Sequence, residues 1–226
     1  DKILRKIEPM LPRTARQRAL KAAVKFIKPR LNGEDGLGGI FPAMANAVMA
    51  FEALGYPKDD PDLLTAKSSI QKLLRLDGEK GFCQPCLSPI WDTGLAVHSL
   101  AEANGSDETK ELSRAATWLA EKQILDVEGD WADNRPGLRP GGWPFEYAND
   151  YYPDVDDTAV VALALDRMDR EKFRENIERA AEWIVGMQSK NGGWGSFDAD
   201  NTYESLNHIP FADHGALLDP PTADVT

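Results

Sequence analysis

Asp154, Asp156 and Asp157 place three carboxylates within four residues, in the run Tyr151-Tyr152-Pro153-Asp154-Val155-Asp156-Asp157-Thr158-Ala159. Acidic residues suit the first turn of a helix, where they cap free N–H groups and meet the positive end of the dipole. One Asp, or two, is accounted for that way. A third crowded against them costs repulsion that a plain cap has no reason to accept. Crowding and burial both raise a carboxyl pKa and leave an acid protonated at neutral pH, while the helix terminus favours the anion. The cluster reads as a proton donor where apolar surroundings win, as a helix cap where they do not, and as a cation site where a metal relieves the repulsion.

Aromatic residues crowd the same part of the chain. Gly141-Gly142-Trp143-Pro144-Phe145-Glu146-Tyr147 leads into the cluster, Trp91 precedes Asp92-Thr93, and Gly192-Gly193-Trp194-Gly195-Ser196-Phe197-Asp198 comes after it. Aromatic faces stabilise positive charge without reacting with it. Each ring alone reads as core; together with a strong acid and no nucleophile they suggest carbocation chemistry. No Ser-His-Asp signature or Walker loop competes. Asp198-Ala199-Asp200-Asn201 resembles the front of a calcium loop but lacks the Gly and terminal Glu of an EF-hand, and reads as a capped turn. Cys83 and Cys86 form a lone CxxC with His98, His208 and His214 elsewhere, so they read as reduced cysteines near a turn rather than a metal site.

The elements that must position these residues are helices. Ala15 to Ile27, Leu64 to Leu74, Ser113 to Gln123 and Glu171 to Gln188 carry charges, whereas Phe41 to Leu54, Thr93 to Ala103 and Asp157 to Leu165 are largely apolar. Strand-like alternation is nearly absent. Charged helices facing water and apolar helices covered by their neighbours predict an all-α fold of stacked helical hairpins, an α/α barrel or toroid. The turn glycines Gly36, Gly81, Gly129 and Gly193 recur too far apart, and too unevenly, for tetratricopeptide or ankyrin repeats. The longest loops, 129–153 and 195–221, flank the acid cluster, as loops that carry function do.

With 226 residues and 42% apolar content, the chain has material for a substantial core. A net charge of -11 argues against a nucleic-acid partner. No run approaches the roughly 18 apolar residues of a spanning helix, and no signal-peptide pattern opens the chain; neither excludes a seat on a membrane surface. The start at Asp1 and the stop at Asp224-Val225-Thr226, which reads as the beginning of a helix, predict a piece of something longer.

Asp154-Val155-Asp156-Asp157-Thr158-Ala159 resembles the DxDDTA motif of class II terpene cyclases. The stretch from Trp183 through Gln188 to Gly193-Trp194-Gly195 resembles that family's QW repeat, in which Gln and Trp tie a helix to its turn. Asn207-His208-Ile209-Pro210-Phe211 and Asp219 to Thr226 are similar to the segment after that repeat in squalene-hopene cyclases, and Ser88 to Thr93 and Gly38 to Pro42 fit the same alignment. Leu37 stands where the repeat usually has Trp, Phe197 where Tyr is often found, and His214 where an aromatic is common.

The resemblance implies an α/α barrel present in part, with residues 1–85 ending one barrel domain and 86–226 beginning the second. It implies protonation of a terminal alkene of squalene, or of a related polyprene, by Asp156. Asp154 and Asp157 would be the flanking carboxylates, and Asp224 the aspartate that organises the acid. Trp91, Phe145, Phe197, Ile40 and Pro42 would line the cavity. No metal or organic cofactor is implied; a histidine partner of the acid is expected two positions beyond Thr226. The partners implied are a polyprene, the cytoplasmic side of a bacterial membrane and a second copy of the chain in a homodimer. An α/α-barrel glycosidase would need a second, separated carboxylate among sugar-binding groups, and a prenyltransferase barrel a zinc site. A non-catalytic helical-repeat protein would be indifferent to Asp156→Asn.

Overall fold

The structure is a computed structural model that describes residues 2–10, 12–104, 109–209 and 217–226; Pro210, Phe211 and His214 lie outside them. Contacts divide the chain into two compact units. The first runs to Cys86 and takes in the segment from His208, and the second runs from Leu87 to Asn207 and resumes through Thr226.

The first unit contains α1 (Lys2–Ile7), α2 (Arg13–Ile27), α3 (Phe41–Ala53) and α4 (Pro61–Leu73). Met44, Ala47 and Phe51 recur at helical spacing on α3 and are buried, with Leu63 and Ala66 of α4 closing the hairpin's core beside Leu31. Asp60 caps α4, its carboxylate accepting from the backbone of Asp62 at 3.0 Å. Gly36 has a φ of 83°, and a Cβ there would sit 2.7 Å from the Met44 side chain, so glycine is required. A short antiparallel hairpin comes next, β1 (Leu74–Asp77) and β2 (Lys80–Cys83), paired from Leu74↔Cys83 to Asp77↔Lys80. The sequence reads as turns there. Four-residue strands exposed on both faces have no alternation to betray them.

The second unit is built from α5 (Pro89–Asn104), α6 (Lys110–Glu121), α7 (Val155–Asp169) and α8 (Arg174–Gly186). Ile90 and Val97 of α5, Leu112, Ala116 and Leu119 of α6, and Val161, Ala164 and Leu165 of α7 share one core with Trp143, Phe173 and Ala180. At Gly94 a Cβ would lie 3.1 Å from Val160, so α5 and α7 pack closely, and His98 Nε2 sits 3.0 Å from the Val160 carbonyl. A second cluster joins Trp131, Val155, Trp183 and Met187, with the two indoles edge to face at 5.9 Å. Helix α7 begins two residues earlier than its apolar run, because Asp154 rather than a later Asp is its cap. Helix α8 begins later than its charged run, since Phe173 has a non-helical backbone.

Candidate active site

Asp154 is buried at the N-cap of α7, where its Oδ1 accepts the Asp157 N–H at 2.7 Å. Its backbone is clamped from two sides. The Asp154 N–H donates to the Trp143 carbonyl at 3.1 Å, and the N–H of Val155 donates to the Ser196 carbonyl at 2.8 Å. Thr158 completes the clamp, its hydroxyl donating to the Asp154 carbonyl at 2.5 Å and accepting from the Trp143 N–H at 2.9 Å. The loops carrying Phe145 and Phe197 are thereby fastened to the turn that carries the acids.

One oxygen from each of Asp154, Asp156 and Asp157 lies within 4.8 Å of the others. Burial, then the charges of Asp157 and Asp156, holds the Asp154 carboxyl well above the usual range. Burial pushes Asp157 up to about 6; the hydrogen bond with Asp154 pulls it back, while Asp156 and Asp92 push it further up. Asp156 is half-buried, and its Oδ1, like that of Asp157, is shielded from solvent with no hydrogen-bond partner among the described residues. Asp154 and Asp157 therefore hold a proton more readily than ordinary carboxyls do, beside the shielded Oδ1 of Asp156. The spacing would also suit a divalent cation, but two buried carboxyls with raised proton affinity favour a proton as the charge that relieves the crowding.

The remaining predicted residues fall into three groups. Trp91 is half-buried in the first turn of α5, next to Asp92, whose charge reaches Asp157. Phe145 is half-buried two residues beyond the Trp143 clamp, and Phe197 meets Tyr152 edge to face at 6.0 Å. Asp224 stands outside the triad, exposed, with its carboxyl held below the usual range by the Thr222 hydroxyl and then by nearby backbone N–H groups. Ile40 and Pro42 are exposed at the start of α3 in the first unit.

Comparison with known proteins decides the lineage. The model of the squalene-hopene cyclase C-terminal domain matches residues 87–226, and that of the N-terminal domain matches residues 1–78. The chain belongs to the squalene-hopene cyclase family. It is 56% identical, over its whole length, to a squalene–hopene cyclase of Zymomonas mobilis, and 52% identical to a probable squalene–hopene cyclase of Sinorhizobium fredii. A squalene–hopene cyclase of Alicyclobacillus acidocaldarius is 40% identical, also over the whole chain. The chain spans 36% of the length of each of these relatives. Its fold is accordingly the all-α barrel of helical hairpins, represented in part.

The second unit contains the pattern of the QW repeat twice. The Gln188 amide donates to the Gly192 carbonyl at 2.8 Å, and the Trp194 indole to the Ile184 carbonyl at 2.7 Å. Gln123 donates likewise to Gly141 at 2.7 Å, and Trp143 to Leu119 at 2.6 Å. The earlier copy eludes a sequence reading because its Gln and Gly lie 18 residues apart rather than 4. The usable signal was Arg114-Ala115-Ala116-Thr117-Trp118-Leu119 against Arg179-Ala180-Ala181-Glu182-Trp183-Ile184. Asp219 is a second residue missed, since its partners are backbone groups far away in sequence.

Proposed function

We propose that this chain supplies the initiating acid of a squalene-hopene cyclase. The observation that carries the reading is the triad, three carboxylates within 4.8 Å with burial raising the proton affinity of two. Asp156 is the donor, with Asp154 and Asp157 as the flanking carboxyls that keep a proton at the site. The proton passes from the Asp156 carboxyl to a terminal alkene carbon of squalene, whose π electrons form the new C–H bond and leave a tertiary cation. Successive alkenes attack that cation, closing rings, until loss of a proton or capture of water ends the sequence. Trp91, Phe145 and Phe197 steady the cations through their ring faces, and Asp224 helps organise the acid.

The division between the two barrel domains falls at residues 85 and 86, a reading supported by the separate domain matches. The working protein sits on the cytoplasmic face of a bacterial membrane as a peripheral homodimer. No described helix is long and apolar enough to cross a membrane. The test is squalene turnover in detergent by the whole protein containing this chain, beside its Asp156→Asn variant, with products read by gas chromatography and mass spectrometry. Cyclised product from the wild type and none from folded Asp156→Asn is the expected result; equal product from both would remove Asp156 from the reaction.

A further inference from the structure

The loop that bears Phe197 hangs on one carboxylate. Asp219 Oδ1 accepts the Ser196 N–H at 3.1 Å, and its Oδ2 accepts those of Phe197 and Asp198 at 2.6 Å each. Three successive N–H groups converging on one anion make a set of charge-assisted bonds. The approach is so close that a Cβ at Gly195 would lie 2.5 Å from the Asp219 carbonyl oxygen. Asp219 is itself held, its N–H donating to the Asn201 carbonyl at 3.2 Å. The Asn201 amide in turn donates to the Leu217 carbonyl at 3.2 Å and to Asp198 at 3.0 Å.

What this anchor fixes lies directly on the acid turn. The Ser196 carbonyl receives the N–H of Val155, the first residue of α7, and the Phe197 ring abuts Tyr152, two residues before Asp154. Phe197 is 41% exposed, so its ring is packed only in part, against Tyr152, and its position depends on the backbone beneath it.

We propose that Asp219 is a positioning residue for cyclisation, fixing the 195–198 loop so that Phe197 presents its face to the cation formed at the acid turn. The inference rests on the cyclase reading given above. Removing the carboxylate leaves three N–H groups without their partner, and the loop moves to satisfy them elsewhere. A cation–π contact depends on the ring lying over the charge, so a displaced Phe197 lets the cation be quenched after fewer rings.

The experiment compares wild type, Asp219→Ala, Asp219→Asn and Phe197→Ala in the whole protein containing this chain. Squalene products are resolved by gas chromatography and mass spectrometry, and thermal unfolding is monitored in parallel. Asp219→Ala is expected to lower kcat/KM roughly 100-fold, the size of effect that a 1 Å misplacement can bring, and to raise the share of incompletely cyclised products as Phe197→Ala does. Asp219→Asn is expected to fall between, because its amide oxygen still accepts from Phe197 and Asp198. Should Asp219→Ala not fold, the product ratio of Asp219→Asn decides. A wild-type product ratio in the folded variants, with turnover falling only as the folded fraction falls, overturns the positioning role. Absence of any cyclised product from the wild type overturns the cyclase reading, and this role with it.

Discussion

The second unit builds one device twice and sets a cluster of carboxyls on only one copy. After each QW turn a Pro packs over a turn glycine, and the chain then enters a capped helical turn that closes on a Thr. A Cβ at Gly142 would lie 2.8 Å from Pro153, and one at Gly193 would lie 2.9 Å from Pro221. The Asp154 N–H donates to the Trp143 carbonyl at 3.1 Å, as that of Thr222 does to Trp194 at the same distance. Thr158 accepts the Trp143 N–H at 2.9 Å, and Thr226 accepts that of Trp194 at 3.1 Å. These bonds set Pro153-Asp154-Val155-Asp156-Asp157-Thr158 on Pro221-Thr222-Ala223-Asp224-Val225-Thr226, with Asp224 in the place of Asp156. The backbone is shared, so it does not make the acid. The difference lies in the side chains: Asp154 and Asp157 stand where the second turn has Thr222 and Val225. There Thr222 lowers the proton affinity of Asp224, whereas in the first turn burial, with the charge of Asp156 added, raises that of Asp154 and Asp157.

The largest expected break in this comparison is functional. Asp156→Asn keeps the shape of the first turn but has no proton to give, and should cost roughly 10³-fold or more in squalene turnover by the whole protein, within the range for losing a general acid. Circular dichroism should show the helices unchanged. Retained turnover would mean that proton donation resides elsewhere.

Next comes stability. Because the second turn accommodates Val225 in the same backbone, Asp157→Val should fold. The folded pKa of Asp157 is raised from 3.8 to about 6, so the wild type bears no ionisation penalty below about pH 4 and loses stability as pH rises through about 6. Two pKa units correspond to about 3 kcal/mol. Denaturant titration should find the variant's stability relative to wild type improving by about that much between pH 4 and pH 7. A pH-independent difference would show that Asp157 ionises in the folded protein as easily as in water.

The indoles separate the two turns by burial. Trp143 is fully buried and Trp194 only half-buried, although each donates one indole N–H to a helix carbonyl. Trp143→Phe removes one of the two bonds to the buried Leu119 carbonyl, which keeps that from the Lys122 N–H, and leaves a cavity behind, at a cost of about 3 kcal/mol, while Trp194→Phe should cost about 1 kcal/mol. Equal losses in denaturant titration would mean that the two turns carry the same load.

How much of this was legible in the sequence depends on how far apart the partners lie. The acid cluster is contiguous, and the helix pairs announce themselves by 3.6-residue periodicity, so Asp154, Asp156, Asp157 and the order of the helices can be read directly. The later QW repeat is equally local. The earlier one is split by an insertion whose Trp131 packs on Trp183 and whose Arg135 bonds the Gly186 carbonyl at 2.9 Å; periodicity does not cross such a gap. Asp219 gives no local signal because its partners are N–H groups more than 20 residues away. The raised proton affinity of Asp154 and Asp157 depends on burial, which composition does not reveal. The β1–β2 hairpin escapes because eight exposed residues carry no hydrophobic pattern.

The smallest expected difference lies in the glutamines, and it isolates what the insertion adds. Gln188 is exposed and its amide makes one bond, to the Gly192 carbonyl. Gln123 is buried; its amide bonds Gly141 at 2.7 Å and the Asn176 carbonyl at 2.9 Å, and its oxygen accepts from the Asn176 side chain at 2.7 Å. With the Gln and Gly of the first turn so far apart in sequence, the turn no longer closes itself, and helix α8 supplies the missing brace. Gln123→Ala should therefore cost about 2 kcal/mol, since it removes three bonds and leaves the Asn176 amide only its long bond to the Ala120 carbonyl, against about 0.5 kcal/mol for Gln188→Ala. In a double-mutant cycle Gln123 and Asn176 should couple by about 1 kcal/mol. A coupling near zero would mean that the first turn closes without α8, and that the inserted loop rather than the Gln sets its shape.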